Sequence, residues 1–95
     1  MNVKVQFFAS VRELVGTREE ILDVPKACTV KALLDLLVEK HGERLRDYLY
    51  DSKSGELRRA IQLLVGAESI SALGGMSTVL SDGCVFAIIP PVGGG

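Results

Sequence analysis

The 95 residues are enough for one small domain, and a hydrophobic content of 47% is ample for a core without disulfide bonds. The 11 basic and 12 acidic residues are well mixed and give a net charge of −1, so no basic stripe indicates a nucleic-acid or anionic membrane surface. Two cysteines and no recognisable secretory signal predict a cytoplasmic protein. The apolar stretches are much shorter than the roughly 20 residues of a membrane-spanning helix, so we expect no membrane partner.

Two predicted strands flank a short helical turn at the start of the chain. Residues 3–8 place apolar side chains at alternate positions, which is typical of a half-buried strand. Residues 10–15 fit a short helical turn that Gly16 closes. Residues 18–24 alternate again, and Pro25, which has no backbone N–H, ends this second strand.

The next segment has the pattern of one long amphipathic helix. Thr29 is a suitable N-cap, and Gly42 is a suitable terminator after a last turn that carries Lys40 and His41. Apolar residues at i, i+3, i+4 and i+7 predict the buried face, which consists of Val30, Leu33, Leu34 and Leu37. Residues 43–50 predict a second, shorter helix.

Further strands follow the helices. They are predicted at residues 60–65, near 68–70 and at 84–89, with turns or loops at 53–55, 66–67, 73–76 and 81–83. In the last strand Phe86 and Ile88 point to one face of the sheet, and the residues between them point to the other. One sheet with one main helix predicts an α+β domain over residues 1–89, followed by a flexible tail at 90–95.

The tail contains no side chain with catalytic chemistry. Its residues are Pro90, Pro91, Val92, Gly93, Gly94 and Gly95. Glycine has no Cβ, so the walls of an enzyme can approach its backbone closely, and the prolines resist both helix and central strand. We interpret the α-carboxylate of Gly95 as a group that another enzyme activates. The alternative is an ordinary frayed terminus.

Separate segments of the chain resemble one known family. Residues 7–17, which read Phe-Phe-Ala-Ser-Val-Arg-Glu-Leu-Val-Gly-Thr, resemble the opening of the small subunit of molybdopterin synthase. Residues 80–95 resemble the last turn, last strand and tail of that family. Residues 55–76 are similar to its archaeal-type version, which has an extra loop. The chain is thus identified by resemblance as a member of the MoaD/ThiS superfamily of ubiquitin-like sulfur carriers.

The resemblance implies a fold and a reaction cycle. The fold is the β-grasp, a ubiquitin-like roll with a mixed sheet and one main helix across one face. In the cycle an E1-like enzyme uses ATP and Mg to adenylate the terminal glycine, here Gly95, and a sulfur donor converts the adenylate to a thiocarboxylate. The acceptor is the large subunit of molybdopterin synthase, in a heterotetramer, and the carrier itself binds no cofactor. Gly94 corresponds to the second glycine of the family's terminal pair.

The resemblance leaves other functions open. A ubiquitin-like modifier has the same activated tail but forms isopeptide bonds with lysines of other proteins. Related carriers deliver sulfur for thiamine, for tRNA thiolation or for cysteine synthesis. Pro90, Pro91 and Val92 before the glycines favour the molybdopterin branch.

Strand alternation predicts an uncovered apolar strip on the sheet. Its residues point away from the predicted helix: Phe8, Leu64, Val85, Ala87 and Ile89, with Gln6 and Gln62 among them. The strip leads directly into the tail, where Pro90, Pro91 and Val92 are also predicted to bind the partner. We interpret this strip as a partner-binding surface. The alternative is that the irregular segments 43–59 or 71–80 fold over it.

The remaining reactive side chains have simpler interpretations. Cys28 and Cys84 form no Cys-x-x-Cys motif, and a solitary cysteine is usually a small buried hydrophobe. His41 is the only histidine, so a place at the end of a helix is favoured over a metal site. We therefore expect no metal site in this chain.

Overall fold

The computed structural model describes residues 1–91. It shows a five-stranded sheet with helices on one face. The strands are β1 (Asn2–Phe7), β2 (Glu19–Asp23), β3 (Gln62–Val65), β4 (Glu68–Ser69) and β5 (Val85–Ile89). The helices are α1 (Ala9–Val15), α2 (Val30–His41) and α3 (Glu43–Leu49), with two 3-10 turns at Ile70–Ala72 and Gly75–Ser77.

The sheet is mixed, with strand order β2-β1-β5-β3-β4. The first and last strands, β1 and β5, are parallel neighbours at its centre, and the other pairs are antiparallel. Phe7 is in register with Ile88. Both central strands therefore end at the same edge of the sheet, and the chain leaves β5 beside the residue that follows β1.

Helix α2 forms as the sequence predicts. The side chain of Thr29 accepts a hydrogen bond from the Ala32 N–H at 3.2 Å, which satisfies one of the free donors of the first turn. Gly42 ends the helix at φ 87°, and its N–H donates to the carbonyl of Val38 at 2.7 Å. The predicted apolar stripe is completely buried against the sheet: Val30, Leu33, Leu34 and Leu37.

The irregular segments lie on the helical side of the sheet. Helix α3 buries Leu45 and Leu49 in the common core and packs against α1 and α2. The second 3-10 turn also packs against α2, and the Thr78 carbonyl accepts from the Val30 N–H at 2.9 Å. The contacts of segments 43–59 and 71–80 therefore favour the interpretation that they do not fold over the opposite face.

Several predicted boundaries differ from the structure by one or two residues. The first strand stops at Phe7, because Phe8 is the extended residue before α1 (φ −120°, ψ 152°). The short strand β4 stops at Ser69, whose hydroxyl accepts from the Ser71 N–H and begins a 3-10 turn where the prediction had strand. The loop predicted at 73–76 includes part of the second 3-10 turn.

A partly buried ionic contact joins β2 to the end of α2. Glu20 points to the core side of the sheet, and its two carboxylate oxygens lie 2.7 Å from Lys40 Nζ and 2.7 Å from His41 Nε2. The edge of the Phe7 ring faces the His41 ring, with the centroids 6.0 Å apart. Burial alone raises the pKa of Glu20, but the hydrogen bonds from His41 and Lys40 outweigh it and lower that pKa below its ordinary value.

This contact predicts an acid-sensitive contribution to stability. A lowered folded-state pKa favours the ionised carboxylate, so the contribution is fully present at neutral pH and is lost as the pH falls below the ordinary carboxyl range. Glu20→Gln should lower the free energy of unfolding at pH 7 by about 1 to 2 kcal/mol, and the difference should shrink near pH 3. Urea titrations at both pH values measure this, with exposed Glu19→Gln as the matched control. An equal loss at both pH values would show that the Glu20 charge is irrelevant.

Candidate functional site

One face of the sheet is free of helices in the described residues, and we call it the outer face. Alternation along β1 sends Val3, Val5 and Phe7 into the core and leaves Lys4 and Gln6 on the other side. The strand registers then define the rest of the outer face, which comprises Asn2, Glu19, Ile21, Asp23, Gln62, Leu64, Ser69, Val85, Ala87 and Ile89 in addition to Lys4 and Gln6.

Apolar side chains cluster at the centre of the outer face. Leu64 is in register with Ala87, and Ile89 is in register with Gln62. Leu64, Val85 and Ile89 are each half-buried, so every one of them still offers apolar surface to a partner. These three predicted residues thus come together on adjacent strands β3 and β5.

Two of the predicted strip residues are less accessible than the sequence indicates. Ala87 is only 5% exposed, because its methyl group lies between the longer side chains of Gln6 and Leu64 on the neighbouring strands. Pro90 is buried, and Pro91 is half-buried. Ala87 and Pro90 therefore offer little surface of their own and form the floor and the end of the strip.

Of the remaining predicted site residues, the structure describes Phe8, which lies at the exit of the chain. Phe8 is half-buried and sits just beyond β1, next to the point where the chain leaves β5, rather than inside a strand. Val92 and the glycines Gly93, Gly94 and Gly95 lie outside the described residues.

Ile21 extends the outer face in a way that the sequence interpretation missed. It is 64% exposed and stands opposite Lys4 on the edge strand β2. The signal was available, since Ile21 lies out of phase with Leu22 and Val24 in a segment already predicted as a strand. Such a large exposed aliphatic side chain widens the apolar part of the face toward β2.

The cysteines and the histidine have structural surroundings. Cys28 is buried, which raises the pKa of its thiol, with Cys84 adding to that rise; a raised pKa disfavours the nucleophilic thiolate. His41 is held by Glu20 at the end of α2. Among residues 1–91 no three His, Cys, Asp or Glu side chains gather as a metal site. None of the helices within that range is long and apolar enough to cross a bilayer.

The mixed sheet, the single long helix and the parallel pairing of the first and last strands define a β-grasp, ubiquitin-like protein. The ThiS family model matches residues 5–95. Small archaeal modifier protein 3 of Haloferax volcanii is 33% identical over 95 residues, and the match covers all of both chains. The molybdopterin synthase sulfur carrier subunit of Drosophila erecta is 36% identical over 96 residues, covering all of this chain and 92% of that one.

A solved structure agrees with this assignment. The crystal structure of SAMP1 from Haloferax volcanii superposes with a TM-score of 0.85 at 29% identity, and each chain is covered completely. The chain belongs to the ThiS family, and it is a ubiquitin-like sulfur carrier or modifier. Relatives of this kind act with partner proteins: one is named as a subunit of molybdopterin synthase, and the similar CysO of Amycolatopsis orientalis was crystallised in a complex with BexX.

Proposed function

We propose that this chain is the small, sulfur-carrying subunit of a molybdopterin synthase and acts in molybdenum cofactor biosynthesis. The observation that carries the proposal is an uncovered apolar strip that ends where the chain leaves the sheet. A carrier has to bind its partner at this place if the tail is to enter the partner's active site. The similarity over its whole length to a molybdopterin synthase sulfur carrier subunit supports this branch of the family. We place the reaction in the cytoplasm.

The chemistry assigned to the chain is confined to one carboxylate. A free carboxylate is a poor electrophile, so an oxygen of Gly95 first attacks the α-phosphate of ATP and pyrophosphate leaves. A hydrosulfide ion then attacks the carbonyl carbon, AMP leaves, and the product loses its proton to become the thiocarboxylate. The sequence has no Gly-x-x-x-x-Gly-Lys-[Ser/Thr] loop, so the E1-like enzyme supplies the sites for ATP and Mg. The carrier binds neither by itself in this proposal.

The body of the domain supplies binding energy that the tail lacks. Five residues follow the buried Pro90, and such a segment spans at most about 17 Å when it is extended. Fixing a residue costs roughly 1–2 kcal/mol, and glycine loses the most conformational freedom. Contacts of the outer face with a partner offset this cost. The same face then serves the activating enzyme and the synthase large subunit in turn.

A protein-modifier function is the second candidate. It is favoured by the 33% identity to small archaeal modifier protein 3 over the complete chain. A modifier forms an isopeptide bond between Gly95 and a lysine, whereas a carrier releases its sulfur and recovers a carboxylate. The two functions share activation and differ only in the acceptor.

Intact-mass spectrometry separates the two functions. The chain is incubated with its cognate E1-like enzyme, MgATP and a sulfur source, and replacement of one oxygen by sulfur is expected. The product is then added to the cognate large subunit with the sulfur-free pterin precursor, and formation of the dithiolene with return to the starting mass supports the proposal. Sulfur loading without transfer to that precursor contradicts the molybdopterin assignment. If the chain instead becomes linked to lysines of other proteins, the modifier function is favoured.

A further inference from the structure

A cleft with two arginines opens at the corner of the sheet where the chain leaves it. Its volume is about 380 Å³, and its lining residues are Gln6, Phe7, Phe8, Arg12, Arg18 and Glu19. They come from the end of β1 and the residue after it, from α1, and from the start of β2 with the residue before it. We call this the arginine cleft.

Backbone contacts fix both arginines to the end of β1. The N–H of Phe7 donates to the Arg18 carbonyl at 2.9 Å. The Nε of Arg12 in turn donates to the Phe7 carbonyl at 3.4 Å. The Arg12 guanidinium is thus held at the end of β1, which limits the entropy that a ligand would have to remove from it, and the backbone of Arg18 is fixed beside the same residue.

The positive charge of the cleft is incompletely neutralised. In the part of the chain that the structure describes, neither Arg12 nor Arg18 forms an ion pair with a carboxylate. The one acidic residue in the cleft wall is Glu19, and its carboxylate lies 3.9 Å from Lys4 Nζ. Two cations therefore face a single carboxylate that a third cation also attracts, and this leaves a net attraction for an incoming anion.

The cleft is continuous with the outer face and with the chain exit. Gln6 lines the cleft and stands opposite Ala87 in the centre of the outer face. Phe8 lines it on the side where the chain leaves β5. A partner that covers the apolar strip and receives the tail therefore also covers the cleft.

We propose that the arginine cleft binds an acidic side chain of the E1-like activating enzyme, at the entrance of the channel that receives the tail. Guanidinium groups bind carboxylates in a planar, bidentate geometry, and Phe8 provides an apolar wall beside that pair. The proposal rests on the proposed function, because it names the chemistry of one partner at the same surface.

The test measures ATP–pyrophosphate exchange by the cognate activating enzyme at increasing carrier concentration, at low and at high salt. Arg18→Gln and Arg12→Gln should each raise the KM for the carrier roughly tenfold at low salt and leave kcat nearly unchanged. The KM of each of these variants should also change less between low and high salt than the KM of the wild type does. Arg12→Lys keeps the positive charge but loses the planar guanidinium group that binds a carboxylate through two hydrogen bonds. Its KM for the carrier should therefore lie between those of the wild type and Arg12→Gln.

The control is Lys26→Gln, an exposed change just beyond β2 at the opposite end of the sheet. Circular dichroism of each variant establishes that it is folded. If the wild type is activated and the two Gln variants behave like the Lys26 control, the cleft proposal is overturned while the proposed function survives. If the wild type is not activated at all, the proposed function fails first. Weaker binding only to the synthase large subunit would also overturn the assignment to the activating enzyme.

Discussion

Deletion of Gly95, or addition of one residue after it, is expected to abolish the gain of sulfur mass and leave the folded domain intact. Under the proposed function the Gly95 carboxylate is the attacking group, and it must reach the α-phosphate to within bonding distance. One residue changes the length of an extended arm by about 3.4 Å, which misplaces the carboxylate completely. Intact-mass spectrometry after incubation with the activating enzyme, MgATP and a sulfur source measures the loss.

The control substitution lies two residues earlier in the same tail. Gly93→Ala keeps the number of residues and the terminal pair, so sulfur loading should be retained. Thermal unfolding of all variants should match the wild type, because the core is built from residues 3–88. A chain without Gly95 that still acquires sulfur at the normal rate would remove the carboxylate from the mechanism.

Local sequence patterns predicted the elements of the fold well. The stripe of Leu33, Leu34 and Leu37 required a helix with one buried face, and all three side chains have no exposed surface. Alternation in β1 likewise identified the buried face of that strand. Each pattern repeats several times within a single helix or strand, so the type of that element and its buried face can be assigned without knowing its neighbours.

Properties that depend on pairing between distant strands were beyond local reasoning. Ala87 is buried because Gln6 and Leu64 flank it, and those neighbours follow from the registers of β1 and β3 on β5. Its small size was visible in the sequence, but its neighbours were not. Phe8 was predicted to continue a strand, whereas α1 begins at once and places it at the chain exit.

The polar contacts at the arginine cleft also depend on segments that are distant in the sequence. Arg12 and Arg18 meet at the end of β1, because α1 and the turn before β2 both return there. The pairing of Glu20 with His41 joins β2 to the far end of α2 in a comparable way. A single sequence contains the residues of such contacts but not the tertiary distances that bring them together.

Leu64→Asp is expected to weaken binding to the activating enzyme and to the synthase large subunit about 100-fold, or about 3 kcal/mol each. Leu64 lies at the centre of the apolar strip beside Ala87, where a partner would bury it, and an unpaired carboxylate is costly in such an interface. The free domain should lose only about 1 kcal/mol, because the side chain is half-exposed before binding. Isothermal titration calorimetry with each partner and urea unfolding measure the two quantities.

The neighbouring residue provides the matched control. Leu63 points to the opposite side of the same strand and is 2% exposed, so Leu63→Asp places an unpaired carboxylate in the core and should prevent folding. Phe8→Asp tests the edge of the strip and should weaken binding without unfolding the chain. If Leu64→Asp unfolds the domain as Leu63→Asp does, the outer face contributes to the core. If it folds and binds both partners normally, the strip is not the docking surface, and the carrier must be held by its tail and the arginine cleft alone.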